Sequence, residues 1–308
     1  MSRLEELKRG WLILVACTIT LAVSVAILPI YSAGVFMTAL NAEFGWSFGA
    51  MSMAPALVWG IAAVTAPVVG AWVDRFGPKL IAPVSLFASA IAYFALGEIS
   101  NDIRLFWLGY ALLAFAGAGC ATVTLSKILA GQFCRSRGAA MAIAMAGIGV
   151  TSVFAPSLIQ HVISEFGWRS AYLLLAGILL TAVPVIGVPL HMKRMEINNP
   201  NQRDDALAAP LTTIGDAIRL PVFWLMAISF PLISLALVGM IIHFVPMLTR
   251  LDIPAEQAAF QAGAIGVAVI ACRLLIGALI DHIFSPSVAA AAMFLSAIGL
   301  VIFVSDPL

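Results

Sequence analysis

Two long apolar runs are joined by residues 70–79, which read GAWVDRFGPK. Near the carboxyl end, residues 277–282 read GALIDH and repeat the first six positions of that stretch in outline. Each copy ends an apolar run with a glycine, a carboxylate four residues later and then an arginine or histidine. A duplicated helical unit produces this pattern, because the same loop returns at the same place in each half. We therefore expect two related bundles of helices.

The composition of the chain indicates an integral membrane protein. Of its 308 residues, 62% are hydrophobic and 10% are charged, and the mean hydropathy is +1.07. Soluble domains are about half apolar and about a quarter charged, so the soluble globular class is excluded. The formal net charge of +1 gives no basic surface for nucleic acid.

The sequence carries no pattern of a metal site or of a catalytic centre. Its four cysteines, which are Cys17, Cys120, Cys134 and Cys272, form no Cys-x-x-Cys pair, which argues against a disulfide framework and a zinc site. There is no Ser-His-Asp arrangement, no His-Glu-x-x-His and no phosphate-binding loop. We expect no enzyme activity, no metal and no cofactor, and we expect the lipid bilayer as a partner.

The apolar runs predict an all-α membrane fold with nine transmembrane helices. A crossing needs roughly 20 apolar residues, and continuous rather than alternating runs indicate helices. The predicted spans are 11–40, 50–73, 80–97, 105–133, 138–162, 169–191, 222–249, 256–283 and 287–305. The first run is too long for a signal-peptide core, so we expect it to be retained as a span.

A hydrophilic stretch near residue 200 divides the chain into two unequal parts. We expect a six-helix bundle at 1–191, a cytoplasmic linker at 192–220 and the first three helices of a second bundle at 221–308. Because the repeat implies two equal halves, we expect a protein of twelve spans that is truncated after the ninth. A natural protein of nine spans is the alternative.

The distribution of lysine and arginine predicts that the amino terminus is cytoplasmic. With this orientation eleven basic residues lie inside, and only Arg104, Arg169 and Arg250 lie outside. This difference follows the positive-inside rule. We expect a multi-pass protein of a cell inner membrane or plasma membrane. The two remaining basic residues, Lys127 and Arg273, fall within spans.

Residues 70–79 resemble the cytoplasmic loop signature of the major facilitator superfamily. The residues of the two copies that the resemblance assigns to a cytoplasmic gate are Gly70, Asp74, Arg75, Gly77, Lys79, Gly277 and Asp281. The first copy departs from the family at Pro78, where a basic residue is usual, and the second departs at His282 and Phe284. On physical grounds, Gly70 lets helices approach and Gly77-Pro78 turns the chain.

Further stretches resemble the branch of monocarboxylate-transporter-like and oxalate/formate-antiporter-like members. These stretches are residues 31–36, 43–47, 135–149, 166–172 and 243–248. The resemblance covers essentially the whole chain. It implies a fold of two bundles, a central substrate site and alternating access by rocking of the bundles. It also implies a small organic anion as the substrate.

The two basic residues inside the spans are candidates for binding such a substrate. Arg273 lies ~12 Å from the cytoplasmic end of its helix, at a depth where an unpaired charge is costly. Carriers of the resembling groups have an arginine at the matching place, which implies contact with a carboxylate. A guanidinium suits that role because two N–H groups can meet two oxygens. Lys127 lies at similar depth in the fourth span, and snorkelling to the surface is the alternative for both side chains.

His243 and Tyr31 are two further candidates for substrate binding. His243 lies in the outer part of the seventh span, where a neutral ring can form hydrogen bonds and a protonated ring can attract anions. A structural histidine is the alternative. Tyr31 in the first span can offer its hydroxyl to the substrate, with core packing as the alternative.

The residues are compatible with more than one coupling ion. All 15 acidic residues lie at span ends, in loops or in the amino-terminal segment. Proton-coupled carriers commonly use a carboxylate inside the membrane. Within this sequence the candidates reduce to Asp74, Asp281 and His243, so proton symport and anion exchange are both compatible with the residues.

The expected function is secondary active transport of a monocarboxylate or dicarboxylate by alternating access. A multidrug or other small-solute facilitator of the same superfamily is the alternative, and a membrane sensor or enzyme is the third class. Residues 149–158 of the fifth span read GVTSVFAPSL and lack the closing glycines that are typical of drug–proton exchangers. This difference argues against drug efflux by proton exchange.

Overall fold

The computed structural model describes residues 3–134, 136–192, 218–280 and 285–305, and every regular element within them is a helix. In chain order the helices are α1 (Arg3–Ala22), α2 (Leu28–Phe44), α3 (Phe48–Phe76), α4 (Pro78–Gly97), α5 (Ile103–Gly117), α6 (Thr122–Gln132), α7 (Arg137–Met192), α8 (Pro221–Arg250), α9 (Ala255–Ile280) and α10 (Ser285–Ser305). A short 3-10 helix (Ala118–Cys120) lies between α5 and α6. The predicted all-α class is confirmed.

Six helical stretches among the described residues are long and apolar enough to cross a membrane. They are Phe48–Phe76, Pro78–Gly97, Ile103–Gln132, Arg137–Met192, Pro221–Arg250 and Ala255–Arg273. The chain is therefore a multi-pass membrane protein. The nine predicted crossings stay a prediction, because α1, α2 and α10 are not among the six and α7 counts once.

Two of the predicted spans are interrupted rather than continuous. The run 11–40 is split between α1 and α2, where Pro29 occupies the first turn of α2, a position that tolerates proline. The run 105–133 is split at the 3-10 helix. The two breaks touch, since a β-carbon added to Gly117 would lie 2.2 Å from Val25. The two irregular segments pack on each other. The length of the apolar runs did not predict these breaks, because they depend on this tertiary contact.

Helix α7 contains 56 residues and includes two predicted spans. A straight helix of that length would measure ~84 Å, against a bilayer core of about 30 Å. Gly167, with φ 81° and ψ 164°, interrupts the helical backbone. A positive φ of this kind is open to glycine and costly for other residues. The interruption falls between the predicted runs 138–162 and 169–191.

The core of the first part of the chain is aromatic where α2, α4, α5 and α7 meet. Tyr172 stacks on Phe36 with ring centroids 4.0 Å apart, and its hydroxyl lies 3.3 Å from that of Tyr110. Tyr93 is buried beside them. Many large apolar side chains elsewhere are exposed, as a lipid-facing surface requires.

The later helices contact the earlier ones through α2, α3 and α7. On α2, a β-carbon added to Gly34 would lie 2.6 Å from the carbonyl oxygen of Ile242 on α8. Such an approach brings helix backbones together and is available to small residues. Residues 193–217, most of the predicted linker, lie outside the described residues, so the predicted division into bundles at 1–191 and 221–308 stays a prediction.

Candidate functional site

Tyr31, Ser152 and Arg273 come together where α2, α7 and α9 meet. Helix α7, which carries Ser152, packs against both α2 and α9, and Ser152 and Arg273 are the polar side chains whose electrostatic effect reaches the Tyr31 phenol. No hydrogen bond of ordinary length joins Tyr31 to either of them among the described residues. Ser152 is fully buried, whereas Tyr31 is half-buried and Arg273 is exposed. The exposed guanidinium and the half-buried phenol are therefore the groups that a ligand can reach, whereas Ser152 lies buried behind them.

Close packing of α7 on α9 brings Ser152 to this site. A β-carbon at Gly266 would lie 2.4 Å from the backbone nitrogen of Val153, and one at Gly263 would lie 2.8 Å from its carbonyl oxygen. On the opposite helix, a β-carbon at Gly149 would lie 2.2 Å from Ile270. Glycine at these positions lets the two backbones touch. Ser152 was not among the residues predicted from the sequence. The spacing of Gly263 and Gly266 by three residues is the signal that could have indicated a helix contact.

Arg273 has no carboxylate partner in the part of the chain that the structure describes. The ion pairs Lys127–Asp74 and Arg169–Glu43 do not include it. Asp281, the acidic residue that follows on the same helix, lies outside the described residues. A guanidinium with free N–H groups beside two hydroxyls can bind a carboxylate through both of its oxygens.

Lys127 and Asp74, which the sequence assigned to different roles, form one ion pair. The Lys127 Nζ lies 2.7 Å from the Asp74 Oδ1, and the two side chains are 41% and 70% exposed. The pair joins α6 to the end of α3. In this state Lys127 neutralises a residue of the predicted gate, and its ammonium is not directed at Arg273.

The structure agrees with the predicted roles of some of the other gate residues and differs for others. Gly77 has φ 81° and separates α3 from α4, so the expected sharp turn at Gly77-Pro78 is present. Gly70 does not serve as a close helix contact, because a β-carbon there would meet no atom of the described residues within 4 Å. Arg75 packs against the Phe76 ring at 5.4 Å. Lys79 lies in the first turn of α4 and Gly277 in α9, while Asp281 lies outside the described residues.

His243 lies apart from the Arg273 cluster, in a cavity between α3 and α8. One of its ring nitrogens, Nε2, lies 3.0 Å from the Ser52 hydroxyl. The cavity measures about 440 Å³, and its apolar lining includes Pro55, Trp59 and Leu235. No sequence motif paired Ser52 with His243, since the two residues lie on helices that are distant in the chain.

A polar cluster joins α2 to α7 near the loop that precedes α3. Glu43 accepts hydrogen bonds from the Trp168 ring nitrogen and from Arg169 at 3.0 Å. The Trp168 bond is the largest cause that lowers the pKa of Glu43, partial burial opposes it, and Arg169 lowers the pKa further. This cluster fixes the second half of α7 to the end of α2.

Comparison with known proteins assigns the family. The sequence profile described as Major Facilitator Superfamily matches residues 16–307. The chain belongs to this superfamily. The match includes α2, α7 and α9 and therefore the Arg273 cluster.

Relatives of this Major Facilitator Superfamily chain are named as transporters. Monocarboxylate transporter 11 of Homo sapiens is 25% identical over 302 residues, which cover 96% of this chain and 61% of the relative. Riboflavin transporter RibJ of Trypanosoma brucei brucei is 26% identical over 170 residues, which cover 55% and 30%. Uncharacterized MFS-type transporter YhjX of Escherichia coli is 24% identical over 311 positions, which cover 97% and 73%.

The chain spans less than two thirds of the length of the first two of these relatives. The family and the relatives confirm the resemblance to the superfamily and to its monocarboxylate-transporter-like branch. They identify a protein of a transporter family rather than an enzyme.

Proposed function

We propose that this protein is a secondary active transporter of small organic anions, and that Arg273 binds the carboxylate of the substrate. The observation that carries the proposal is Arg273 itself, which has no carboxylate partner among the described residues and lies on a helix that packs closely on α7 beside Ser152. Substrate sites of carriers built from repeats lie near the bilayer midplane at such a junction. A monocarboxylate or a dicarboxylate provides the oxygens that these groups recognise.

Alternating access in this proposal uses contacts that lie near one end of the helices. Ser52 with His243, Gly34 with Ile242, and the Arg250 guanidinium 4.8 Å from the Phe48 ring all join α8 to the first part of the chain. In the proposed orientation, with a cytoplasmic amino terminus in an inner or plasma membrane, this end faces outward. The structure then corresponds to a state that is closed outside.

The end of the helices that carries Asp74 and Lys127 is open, which also supports a state that is closed outside. Asp74 and Lys127 are exposed there, and the first turns of α8 are exposed as well. Substrate would enter and leave Arg273 from the cytoplasmic side in this state. Breaking the outer contacts and closing the inner end would expose the same guanidinium to the outside.

The coupling reaction in the proposal is proton symport or anion exchange. No acidic residue lies deep in a predicted span, and His243 is the titratable ring at the outer contact. Exchange of one anion for another needs no proton carrier, because the second anion occupies Arg273 on the return. Both couplings use the same substrate site.

Substrate-dependent thermal stabilisation tests the site. Oxalate and lactate should raise the melting temperature of the protein at its natural full length, whereas oxamide and lactamide should not. Arg273→Lys keeps the charge but loses the two-pronged geometry, so binding should weaken. Arg273→Gln removes the charge as well, so it should weaken binding more than Arg273→Lys does.

The matched control is Arg104→Gln, an arginine that the sequence assigns to an outer loop. It should leave stabilisation by the carboxylates intact. Equal stabilisation of the wild type and both Arg273 variants would contradict the proposal and leave Arg273 a structural or snorkelling residue.

A neutral-solute facilitator is the second candidate function, and one observation favours it. The cavity of about 440 Å³ beside Trp59 has an apolar lining and suits an aromatic ring better than a small anion. The similarity to a protein named as a riboflavin transporter points the same way. Stabilisation by riboflavin that Trp59→Ala abolishes and Arg273→Gln does not affect would support this alternative.

A further inference from the structure

A second polar pocket lies above the Ser52–His243 contact, at the end of the molecule that the proposed orientation places outside. Its volume is about 800 Å³, and residues of α2, α3, α8, α9 and the adjoining loops line it. The polar lining residues are Thr38, Asn41, Ser47, Thr249 and Arg250. Phe48 forms its apolar wall.

Two helices that line the pocket, α8 and α3, also form the Ser52–His243 contact. On α8, Arg250 follows His243 by seven residues, about two helical turns, so the two side chains share a face. On α3, Ser52 follows Phe48 by about one turn and shares its face. A solute in this pocket therefore lies over the joint between α3 and α8 that must open for entry from outside.

Three residues of the lining, Arg250, Ser47 and Asn41, keep hydrogen-bond donors for a ligand, while the two threonines use theirs within their own helices. The Ser47 hydroxyl oxygen accepts from the Ala50 nitrogen, so its own hydrogen is left for a ligand. Asn41 donates one amide hydrogen to the Trp46 carbonyl at 2.8 Å and keeps the other. The hydroxyls of Thr38 and Thr249 donate to backbone carbonyls of their own helices.

Arg250 supplies the charge of the pocket. Its guanidinium is held 4.8 Å from the centre of the Phe48 ring, which orients it without neutralising it. Asp252 lies in the loop after α8 and Glu256 in the first turn of α9, yet no carboxylate of the described residues lies within 4.0 Å of this guanidinium. Glu43, at the end of α2, is engaged by Trp168 and Arg169.

We propose that this pocket is a second anion site, which receives a small carboxylate at the outer mouth before the carboxylate reaches Arg273. The inference rests on the proposed function for its substrate class. The ligand needs one carboxylate to meet Arg250 and a short body to fit beside Ser47 and Asn41. Because the pocket is open to solvent, salt screens the attraction between Arg250 and the carboxylate, and binding is weak. Weak binding allows the carboxylate to leave this pocket for Arg273.

Charge-selective thiol labelling tests the site without depending on transport. Cys134 and Cys272 are exposed and are first changed to Ala, whereas Cys17 and Cys120 are buried and stay. Thr249→Cys then places a thiol in the pocket. Sealed vesicles are treated with membrane-impermeant methanethiosulfonate reagents, one with a sulfonate and one with a trimethylammonium group, and the two rates are compared. Ser47→Cys is the second reporter, in case the first protein does not fold.

The proposal predicts that the sulfonate reagent reacts at least about three-fold faster than the cationic one, relative to their rates with free cysteine. Arg250→Gln should abolish this preference, Arg250→Lys should keep most of it, and the control Arg104→Gln should leave it unchanged. Oxalate or lactate should slow labelling, and 0.5 M NaCl should reduce the preference, since the Debye length shortens to roughly 4 Å.

A preference that survives Arg250→Gln would overturn the proposal. Labelling that requires permeabilised vesicles would overturn it as well, because the pocket would then face inward. Failure of the proposed function has a different signature: carboxylates would stabilise Arg273→Gln as well as the wild type. Labelling preference and protection that depend on Arg250 would still establish the outer site in that case.

Discussion

The hydroxyl of Ser152 donates to the carbonyl of Gly149 at 2.8 Å, within its own helix. Serine in a membrane helix commonly satisfies its hydrogen this way. The oxygen keeps its second lone pair for a neighbour, and the neighbour in this structure is Tyr31. Because Ser152 gives its hydrogen to Gly149, a bond between the two hydroxyls uses the single hydrogen of Tyr31. An anion on Arg273 receives that hydrogen only when the phenol turns away from Ser152.

Removing that hydroxyl should weaken substrate binding while leaving the fold intact. A hydrogen bond to a charged group contributes about 1.5–3 kcal/mol, so Tyr31→Phe should reduce affinity for a stabilising carboxylate roughly ten-fold or more. Titration of the melting temperature with oxalate or lactate measures the effect. Unchanged affinity in Tyr31→Phe would remove the phenol from the site.

Tyr93 provides a control of the same chemistry with the opposite expectation. Its hydroxyl is buried and is the one such side-chain atom without a hydrogen-bond partner among the described residues. Burying an unpaired polar group costs free energy. We expect Tyr93→Phe to raise the free energy of unfolding by roughly 1 kcal/mol and to leave carboxylate binding unchanged. A loss of stability in thermal unfolding would show that the hydroxyl has a partner.

Glu43 should make stability depend on acid pH. Since hydrogen bonds from Trp168 and Arg169 lower its pKa in the folded protein, the folded state holds the proton less tightly than the unfolded state. The contribution of Glu43 to the free energy of unfolding is then complete above its pKa in the unfolded chain, about 4.3. It is lost as the pH falls through its pKa in the folded protein. The Glu43–Arg169 pair is 41% and 49% exposed, so the contribution stays below about 1 kcal/mol.

The measurement is the melting temperature of the wild type and of Glu43→Gln from about pH 6 to about pH 3.5. The variant should be less stable at pH 6, and the difference should shrink toward pH 3.5. Glu98→Gln, at an exposed position outside this cluster, is the control. A constant difference across the range would contradict the assignment.

Helices α7 and α9 are joined by close packing at their glycines. Gly266→Ala should force these helices apart, because the new methyl group would lie 2.4 Å from the Val153 nitrogen and 2.5 Å from the Ser152 carbonyl carbon. Overpacking of this kind costs typically 1–3 kcal/mol. We expect a lower melting temperature and weaker carboxylate stabilisation, since Ser152 moves with the backbone.

Gly239→Ala is the matched control for this change. Gly239 lies inside α8, and a β-carbon there would meet no described atom within 4 Å. Alanine is the better helix former, so this variant should be neutral or slightly stabilising. Similar melting temperatures for Gly266→Ala and Gly239→Ala would show that the close contact is not maintained in the membrane.

The pair of Lys127 and Asp74 joins α6 to α3 far from Arg273 and should act on conformational change. Asp74→Asn should slow turnover while the affinity for a stabilising carboxylate stays within a few-fold. The free energy of so exposed a pair is small, so stability should change by less than about 1 kcal/mol. A large loss of affinity with unchanged turnover would assign Asp74 to the substrate site instead.

The sequence predicted the helical class and the place of the main turns, because run length, glycine and proline are local signals. It predicted Gly77-Pro78 correctly for this reason. The breaks at residues 23–27 and 118–121 were not predicted, since they depend on Val25 packing against Gly117 from a distant helix. The same limit applies to the site: Arg273 and Tyr31 were candidates by residue type, whereas Ser152 and the Lys127–Asp74 pair follow from tertiary contacts.

At the scale of the whole molecule, the earlier and later helices meet on one side of the site. The contacts of α8 with α2 and α3 involve one hydrogen bond, one cation–π contact and glycine-mediated packing. Contacts of this kind are individually weak, so they can break and form during a transport cycle.

Counterflow in proteoliposomes tests the central claim most directly. The protein at its natural full length is reconstituted with unlabelled oxalate or lactate inside, and labelled carboxylate is added outside. The account predicts transient accumulation of label in the wild type and in Arg104→Gln and none in Arg273→Gln, with labelled lactamide never accumulating. Accumulation of carboxylate by Arg273→Gln at the wild-type rate, or of lactamide by the wild type, would contradict the account.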